Sequence, residues 1–505
     1  MTGFLPSSGD FPSNFELGRP ECPSPLLFAG VVFSGAVKTT DASAGTGLPR
    51  AAAGWRWPAF GRAGTVLAEL FPEARPLPRR LPRSLIVAIY VLSVAAGTLL
   101  MLARYVNEPP WQSIYAEDYP VFLVPALAHP WHSLLESYAG YLQLVPRIIG
   151  LAVSQLPIRA AAAGFAIIGA AVAAACALFV FHASSGLVRN PLLRVLLGLS
   201  VLLLPVALLE IADCGVNTPW YLEMALFWAL LWRPPSWAGA VLAAVIGFAS
   251  ASSNITASVF VILVIIRIIA LPRVREHVVS IGWALGCLTQ VPYFLTSTSA
   301  SGSRLSTLAT PAQSTGFYGH DVVLPAFGWH LSWVLRHWWD RDTALILVGG
   351  ILVLIVAAVL IAGTTRVRLF TVTALGFGFV FTIFAATVTY WVTTNKIIPS
   401  NEPGARYTCL PIVLITAVLI VATDAFFVSA GRRAVTVIVA TVALIGVLCI
   451  GWIPDFRYVA QRNQAPLWAP VAAQWLATCQ HHDSIRYEDG YFKNEIFTIP
   501  CSRIR

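Results

Sequence analysis

The chain of 505 residues is 57% hydrophobic and only 11% charged, with a formal net charge of +9. This composition excludes an ordinary soluble domain and indicates an all-α, polytopic membrane protein. The positive charge does not indicate nucleic-acid binding, because the arginines fall in short clusters between apolar segments, where they orient membrane helices. No Cys-x-x-Cys spacing occurs among the eight cysteines, which argues against a zinc or redox site.

Residues 1–83 are rich in Pro, Gly, Ser and Ala and lack a sustained periodicity. They predict a disordered cytoplasmic N-terminal tail, and an over-called start of translation is the alternative. The apolar core and small-residue cleavage site of a signal peptide are missing near Met1. The basic segment 75–83 directly precedes the first long apolar segment, so the positive-inside rule places the N-terminus in the cytoplasm and residues 105–157 outside.

About eleven transmembrane helices follow from the apolar segments, several of which approach the length that crosses the hydrocarbon layer, while the fourth to the sixth are short. The predicted spans are 84–103, 158–183, 195–211, 219–232, 237–251, 255–270, 278–296, 342–362, 369–391, 407–428 and 434–453. Every predicted inner turn carries arginine, whereas Glu117, Asp118, Glu136, Asp213, Asp321, Asp340 and Glu402 fall on the outer side. The assignment leaves a small extracytoplasmic C-terminal segment, residues 454–505, in which a disulfide between Cys479 and Cys501 is chemically permitted. Two free thiols are the alternative.

The first predicted outer loop opens with two adjacent carboxylates, Glu117 and Asp118. Charge beside a membrane is costly and is usually retained for function. The alternative is that the pair only caps an interfacial helix, since acids favour helix N-termini. Residues 120–157 carry aromatic and apolar residues at helical spacing, which predicts helices that lie in the membrane interface.

Five short stretches, in this order and at these predicted positions, resemble the GT-C class of integral-membrane glycosyltransferases, especially bacterial, actinobacterial-type members. They are Glu117-Asp118-Tyr-Pro-Val-Phe122, Tyr138-Ala-Gly-Tyr-Leu-Gln-Leu-Val-Pro-Arg147, Asn217-Thr-Pro-Trp220, Ala405-Arg-Tyr407 and Pro500-Cys-Ser502. The resemblance covers roughly residues 84–505. It implies a GT-C-like catalytic domain over 84–453, with a catalytic acid in the first outer loop.

The resemblance further implies a polyprenyl-phosphate-linked sugar as donor and a cell-envelope glycan, lipid or other exported acceptor. The protein would then act in the bacterial plasma membrane, with membrane lipids as its surroundings and the C-terminus outside. A carboxylate suits the role of base, because the acceptor hydroxyl must lose a proton as it attacks the anomeric carbon. Either acid can serve, and we favour Asp118 over Glu117.

Arginine suits the departing phosphate, because its planar fork binds two oxygens at once. Arg406 is the first choice for the donor phosphate, although a residue at that membrane edge can also simply anchor a helix by snorkelling. The further phosphate-binding candidates are Lys396, Arg147 and Arg304. The candidates for sugar or acceptor binding are His320, Trp131 and Tyr138, each of which is also typical of an ordinary interfacial position. No metal ligand is assigned, and the paired acids leave a divalent cation open as a cofactor.

The competing interpretation is a lipid or glycan transporter or flippase. Such proteins place charged or broken-helix sites near the bilayer midplane and show internal repeats. Here charges within the predicted spans are few, no duplication of the two halves is apparent, and the polar residues concentrate in the outer loops. A non-catalytic scaffold of envelope assembly is a third interpretation.

Overall fold

The computed structural model describes residues 61–74, 82–106, 109–296, 311–388, 405–429, 434–457, 467–488 and 496–504. Its helices are α1 (Gly61–Ala68), α2 (Arg83–Leu102), α3 (Val124–Ala128), α4 (Pro130–Ser133), α5 (Leu144–Val153), α6 (Ala161–Ala183), α7 (Pro191–Leu202), α8 (Ala207–Glu210), α9 (Thr218–Leu231), α10 (Trp237–Ala251), α11 (Val261–Ala270), α12 (Val274–Thr296), α13 (Pro311–Phe317), α14 (Trp329–Trp338), α15 (Arg341–Ala362), α16 (Thr365–Val388), α17 (Arg406–Ser429), α18 (Ala434–Phe456) and α19 (Trp468–Thr478). Two antiparallel hairpins join β1 (Ser137–Tyr138) to β2 (Tyr141–Leu142) and β3 (Ser484–Glu488) to β4 (Ile496–Pro500).

The molecule is a mostly helical, polytopic membrane protein. Within the described residues, seven helices are long and apolar enough to cross a membrane. They are Ser84–Leu102, Ile158–Gly186, Pro191–Glu210, Val274–Leu295, Asp342–Ala362, Thr365–Ala385 and Arg406–Phe426. All the segments predicted as spans contain helix, but α9, α10 and α11 are short. The count of eleven therefore stays a prediction.

One predicted span is interrupted. The segment 195–211 was expected to be a single helix, but α7 ends at Leu202 and α8 begins only at Ala207. Pro205 explains the break, because proline lacks the N–H that an uninterrupted helix would need and its ring clashes with the preceding turn. The break leaves Glu210 at the end of a short helix.

The centre of the bundle is α9, of which every residue is buried. It packs against α6, α10 and α17. A helix that is apolar on all sides is expected in the interior of a bundle rather than at its lipid-facing surface. Residues Thr218 and Pro219 begin α9, so the loop before it is fixed against the core.

Contacts between helix ends divide the turns into two groups. At one end, Arg104 donates to the carbonyl oxygens of Leu202 at 2.6 Å and Leu204 at 3.1 Å. At the other end, Arg233 pairs with Glu276 at 2.7 Å. Further contacts are Leu144 to Ser252 and Tyr293 to Leu135 at the first end, and Asp424 to Arg189 and Arg366 to Glu69 at the second. Predicted outer turns thus meet one another, and so do predicted inner turns, as alternating spans require.

We name these two ends by the residues that form them. The acid face consists of residues 109–160, 203–217, 252–255, 405–407, 467–488 and 496–504. The arginine face consists of residues 69–74, 184–190, 232–236, 271–276 and 363–368. Which face lies outside the cell stays a prediction.

Part of the N-terminal region is folded. Helix α1 is followed by Leu70 and Phe71, which are buried in the core of the bundle. The guanidinium of the buried Arg267 lies 5.6 Å from the centre of the Phe71 ring, and Glu73 forms a backbone bridge with Arg233. A disordered tail over all of 1–83 is therefore wrong for residues 61–74. The apolar pair is too short to produce a periodic signal, and residues 1–60 and 75–81 lie outside the described residues.

A small C-terminal module, residues 467–488 and 496–504, combines α19 with the hairpin of β3 and β4. Cys479 and Cys501 form a disulfide within it. Its side chains share a second hydrophobic core with the first predicted outer loop, distinct from the core of the helical bundle.

Candidate functional site

The acid pair lies in an irregular segment of helix. Ala116–Asp118 form one turn of 3₁₀-helix, and Tyr119–Leu123 continue as a single π-helical turn that contains Pro120. Such turns are frequent at functional sites, because they aim neighbouring side chains in directions that a regular helix does not allow. Here the two carboxylates point into different surroundings.

Asp118 is fully buried, with 0% of its surface exposed. Its carboxylate accepts hydrogen bonds from the backbone N–H groups of Gly215 at 2.9 Å and Val216 at 2.7 Å. A side chain at position 215 would meet this carboxylate, since a Cβ there would lie 3.0 Å from Oδ1. Asp118 therefore clamps the loop before α9. Although we favoured it as the base, its carboxylate is enclosed in this structure.

Glu117 is only partly buried and faces a group of tyrosines. The hydroxyl of Tyr138 donates to Oε1 of Glu117 at 3.0 Å. Burial, and then the carboxylate of Glu117, raise the pKa of Tyr138, while Arg406 lowers it. Burial raises the pKa of Tyr115 as well, and Glu210 and Glu117 add to that effect. Glu117 and Arg406 thus act on both tyrosines, and Glu210 acts on Tyr115.

The cation of this site is held by a neighbouring acid. Arg406 pairs with Glu210 at 2.9 Å, and its backbone N–H donates to the same carboxylate at 3.1 Å. The guanidinium lies 5.2 Å from the ring centre of Tyr407, which packs edge-on against Trp220. The side chain of Arg406 remains 25% exposed. Glu210 therefore fixes Arg406 beside Glu117 without enclosing it.

Four of the five stretches that carry the resemblance meet here. Glu117 contacts Tyr138, Asp118 holds the residues before Asn217, and Tyr407 packs on Trp220. Sequence reasoning placed Arg406 at the site. It gave no role to Tyr115 or Gly215, and it included Tyr407 only as part of the Ala405-Arg-Tyr407 stretch. The Asp213-Cys-Gly-Val-Asn217 turn was the signal for Gly215.

Three other sequence candidates lie elsewhere. Arg147 is buried, donates to the carbonyl of Val121 and lies 3.5 Å from Glu136, so it supports the loop. His320, in the π-helical turn Tyr318–Val323, lies 3.4 Å from Asp342 in the first turn of α15. Trp131 is 78% exposed on the surface of the acid face. Arg304 and Lys396 lie outside the described residues.

An apolar pocket lies beside the β1–β2 hairpin that carries Tyr138. Its volume is about 200 Å³, and it is lined by Ala251, Asn254, Ile255, Ser258, Cys287, Gln290, Val291, Phe294 and Leu295. Gln290 links it to the hairpin, because its side chain accepts from the N–H of Leu142 at 2.8 Å and donates to the Leu142 carbonyl at 3.0 Å.

No family model, no curated protein and no solved structure matches this chain. The resemblance to GT-C enzymes therefore rests on the chain's own residues and their arrangement. Among the described residues, no group of three or more His, Cys, Asp or Glu side chains is placed to hold a metal ion.

Proposed function

We propose that the protein is a GT-C-like membrane glycosyltransferase. It transfers a sugar from a polyprenyl-phosphate carrier to a hydroxyl of a cell-envelope glycan or another exported acceptor. The observation that supports this most strongly is the convergence of Glu117, Tyr138 and the Glu210–Arg406 pair on the acid face. The site thus offers a partly exposed carboxylate and a positioned cation, the two groups that the reaction needs.

In this reaction the acceptor oxygen bonds to the anomeric carbon while the bond from that carbon to the carrier phosphate oxygen breaks. The acceptor proton passes to Glu117, and the electron pair leaves with the polyprenyl phosphate. Glu117 is the proposed base because it is open to an incoming hydroxyl and positioned by Tyr138. Attack from the face opposite the phosphate inverts the anomeric centre.

Arg406 is the proposed partner of the phosphate. A guanidinium carries five donors, and Glu210 accepts from only part of this set. The Nε atom of Arg406 is buried, and in the described part of the chain it has no hydrogen-bond partner. Fixed donors directed at developing negative charge are a major source of catalysis. An isoprenoid segment of the donor would suit the apolar pocket beside Gln290.

The test is transfer of labelled sugar in reconstituted vesicles, with undecaprenyl-phosphate-linked glucose, mannose and arabinose as donors and cell-envelope membranes as acceptor. Glu117→Gln should lower the transfer rate by about a hundredfold or more, the contribution typical of a general base. Asp483→Asn, a change at an exposed acid of the same face, is the matched control and should retain the parental rate.

Two results would contradict the proposal. One is a parental transfer rate in Glu117→Gln. The other is movement of an intact lipid-linked sugar across the bilayer, with no transfer to acceptor by the parent protein, which would favour the transporter.

A further inference from the structure

We propose that the C-terminal module positions Glu117, the proposed general base, and that Tyr119 is the positioning residue. This inference rests on the proposed function for its catalytic consequence, but its structural part stands on contacts alone. The module and the acid pair are more than 300 residues apart in the chain, yet hydrogen bonds join the module to residues on either side of the pair.

The first observation is that the module is fastened to both ends of the segment that carries the acids. The backbone N–H of Trp468 donates to the carbonyl of Gln112 at 2.8 Å, just before the acid pair. The indole N–H of the same residue donates to the carbonyl of Ile158 at 2.6 Å, after it. Ser113 and Leu467 also form an antiparallel bridge. Hydrogen bonds to Trp468 thus connect the two ends of the loop.

The second observation is an aromatic enclosure around Tyr119. Its ring centre lies 5.4 Å from that of Trp468, 5.7 Å from that of Trp475 and 5.3 Å from that of Tyr487. All three partners belong to the module. Burial, and then the neighbouring Tyr487, raise the pKa of the Tyr119 hydroxyl.

Tyr119 transmits this contact to the acids because of its place in the chain. It is the first residue of the π-helical turn, directly after Asp118 and two positions after Glu117. Its side chain therefore fixes the chain directly after the 3₁₀ turn from which both carboxylates project. Without the enclosure, Glu117 would still have Tyr138 as a partner, but the backbone beside it would lose a support.

The disulfide holds the enclosure together. Cys479 directly follows α19, which carries Trp468 and Trp475, and Cys501 directly follows β4. The hairpin partner of β4 is β3, which carries Tyr487. A module this small buries few apolar side chains, so a covalent link between its two halves contributes much of its order.

The experiment combines two measurements on the full chain reconstituted in lipid. Hydrogen–deuterium exchange of the peptide 113–128 reports on the order of the acid segment without requiring any substrate. Transfer kinetics with the undecaprenyl-phosphate sugars report on the site. The variants are Tyr119→Ala, Tyr119→Phe and the double change Cys479→Ser with Cys501→Ser. Trp338→Ala, at a tryptophan of α14 that is 78% exposed, is the control.

Tyr119→Ala should speed the slowest exchange in 113–128 by about tenfold or more, because local opening of that segment becomes easier. It should lower kcat while leaving the donor KM close to the parental value, since the contacts of Arg406 are retained. Tyr119→Phe keeps the ring in its enclosure and should restore most of both. The double serine variant should change exchange and kcat in the same direction as Tyr119→Ala, and Trp338→Ala should change neither.

Unaltered exchange of 113–128 in both Tyr119→Ala and the double serine variant would overturn the inference. If Tyr119→Ala does not fold, the double serine variant and Tyr119→Phe decide by the same readout. A loss of donor affinity without a fall in kcat would also contradict a positioning role. If the parent shows no transfer while exchange responds as expected, the proposed function fails and the structural coupling stands.

Discussion

Glu117 and Asp118 are neighbours in the chain but differ in what surrounds them. Asp118 is enclosed and accepts from two backbone N–H groups of the loop before α9, whereas Glu117 is partly open and held by Tyr138. Adjacent residues project in different directions from a helical turn. Only Glu117 of the pair therefore faces Tyr138. We therefore assign the proposed proton transfer to Glu117 and a supporting role to Asp118.

This division predicts that the two acids respond differently to substitution. Asp118→Ala leaves two buried N–H groups without their acceptor, and each such loss costs about 1–3 kcal/mol. Glu117→Gln keeps an acceptor for Tyr138 and should cost about 1 kcal/mol or less. The measurement is the free energy of unfolding in mixed micelles titrated with denaturing detergent. Equal losses in the two variants would contradict the assignment.

The sequence could identify the acid pair but could not order its two members. Asp118 is buried because of Gly215, which lies 97 residues further along the chain. Neither the spacing nor the charge of residues 114–123 indicates the contact between Asp118 and Gly215. Arg406 was accessible to sequence reasoning because it begins an apolar segment on the predicted outer side. Its pairing with Glu210 joins residues 196 positions apart and became clear only in the structure.

At the scale of elements, the length of the apolar segments located the helices well. It failed where a few buried residues hold a short segment in place. The predicted spans agree with helices because about 20 apolar residues have few alternatives in lipid. The segment 69–74 was missed because only three consecutive residues, Leu70, Phe71 and Pro72, account for its burial. Arg267, the partner of Phe71, is fully buried in α11.

The docking of this segment leads to a prediction about stability. Phe71→Ala should lower the free energy of unfolding by about 3 kcal/mol, because it empties a fully buried aromatic site and removes the ring beside Arg267. Val66→Ala, at a residue of α1 that is 49% exposed, should have little effect. Detergent-titration unfolding of the two variants provides the comparison. An unchanged value for Phe71→Ala would mean that the segment does not contribute to the fold.

The whole molecule is organised around two hydrophobic cores and presents two faces. The larger core lies within the helical bundle, and the smaller one unites the acid segment with the C-terminal module. All the groups proposed for the reaction lie on the acid face, which the positive-inside rule places outside the cell. A lipid-linked sugar for an exported acceptor must be available on that same side.

The most direct measurement is therefore the labelling of single added cysteines in intact cells by a membrane-impermeant maleimide. Gln155→Cys probes the acid face and Arg273→Cys the arginine face, both at exposed positions, with the parent chain as the background. The account predicts that Gln155→Cys is labelled in intact cells and that Arg273→Cys is labelled only after the membrane is opened. The reverse pattern would place Glu117 in the cytosol and contradict the proposal.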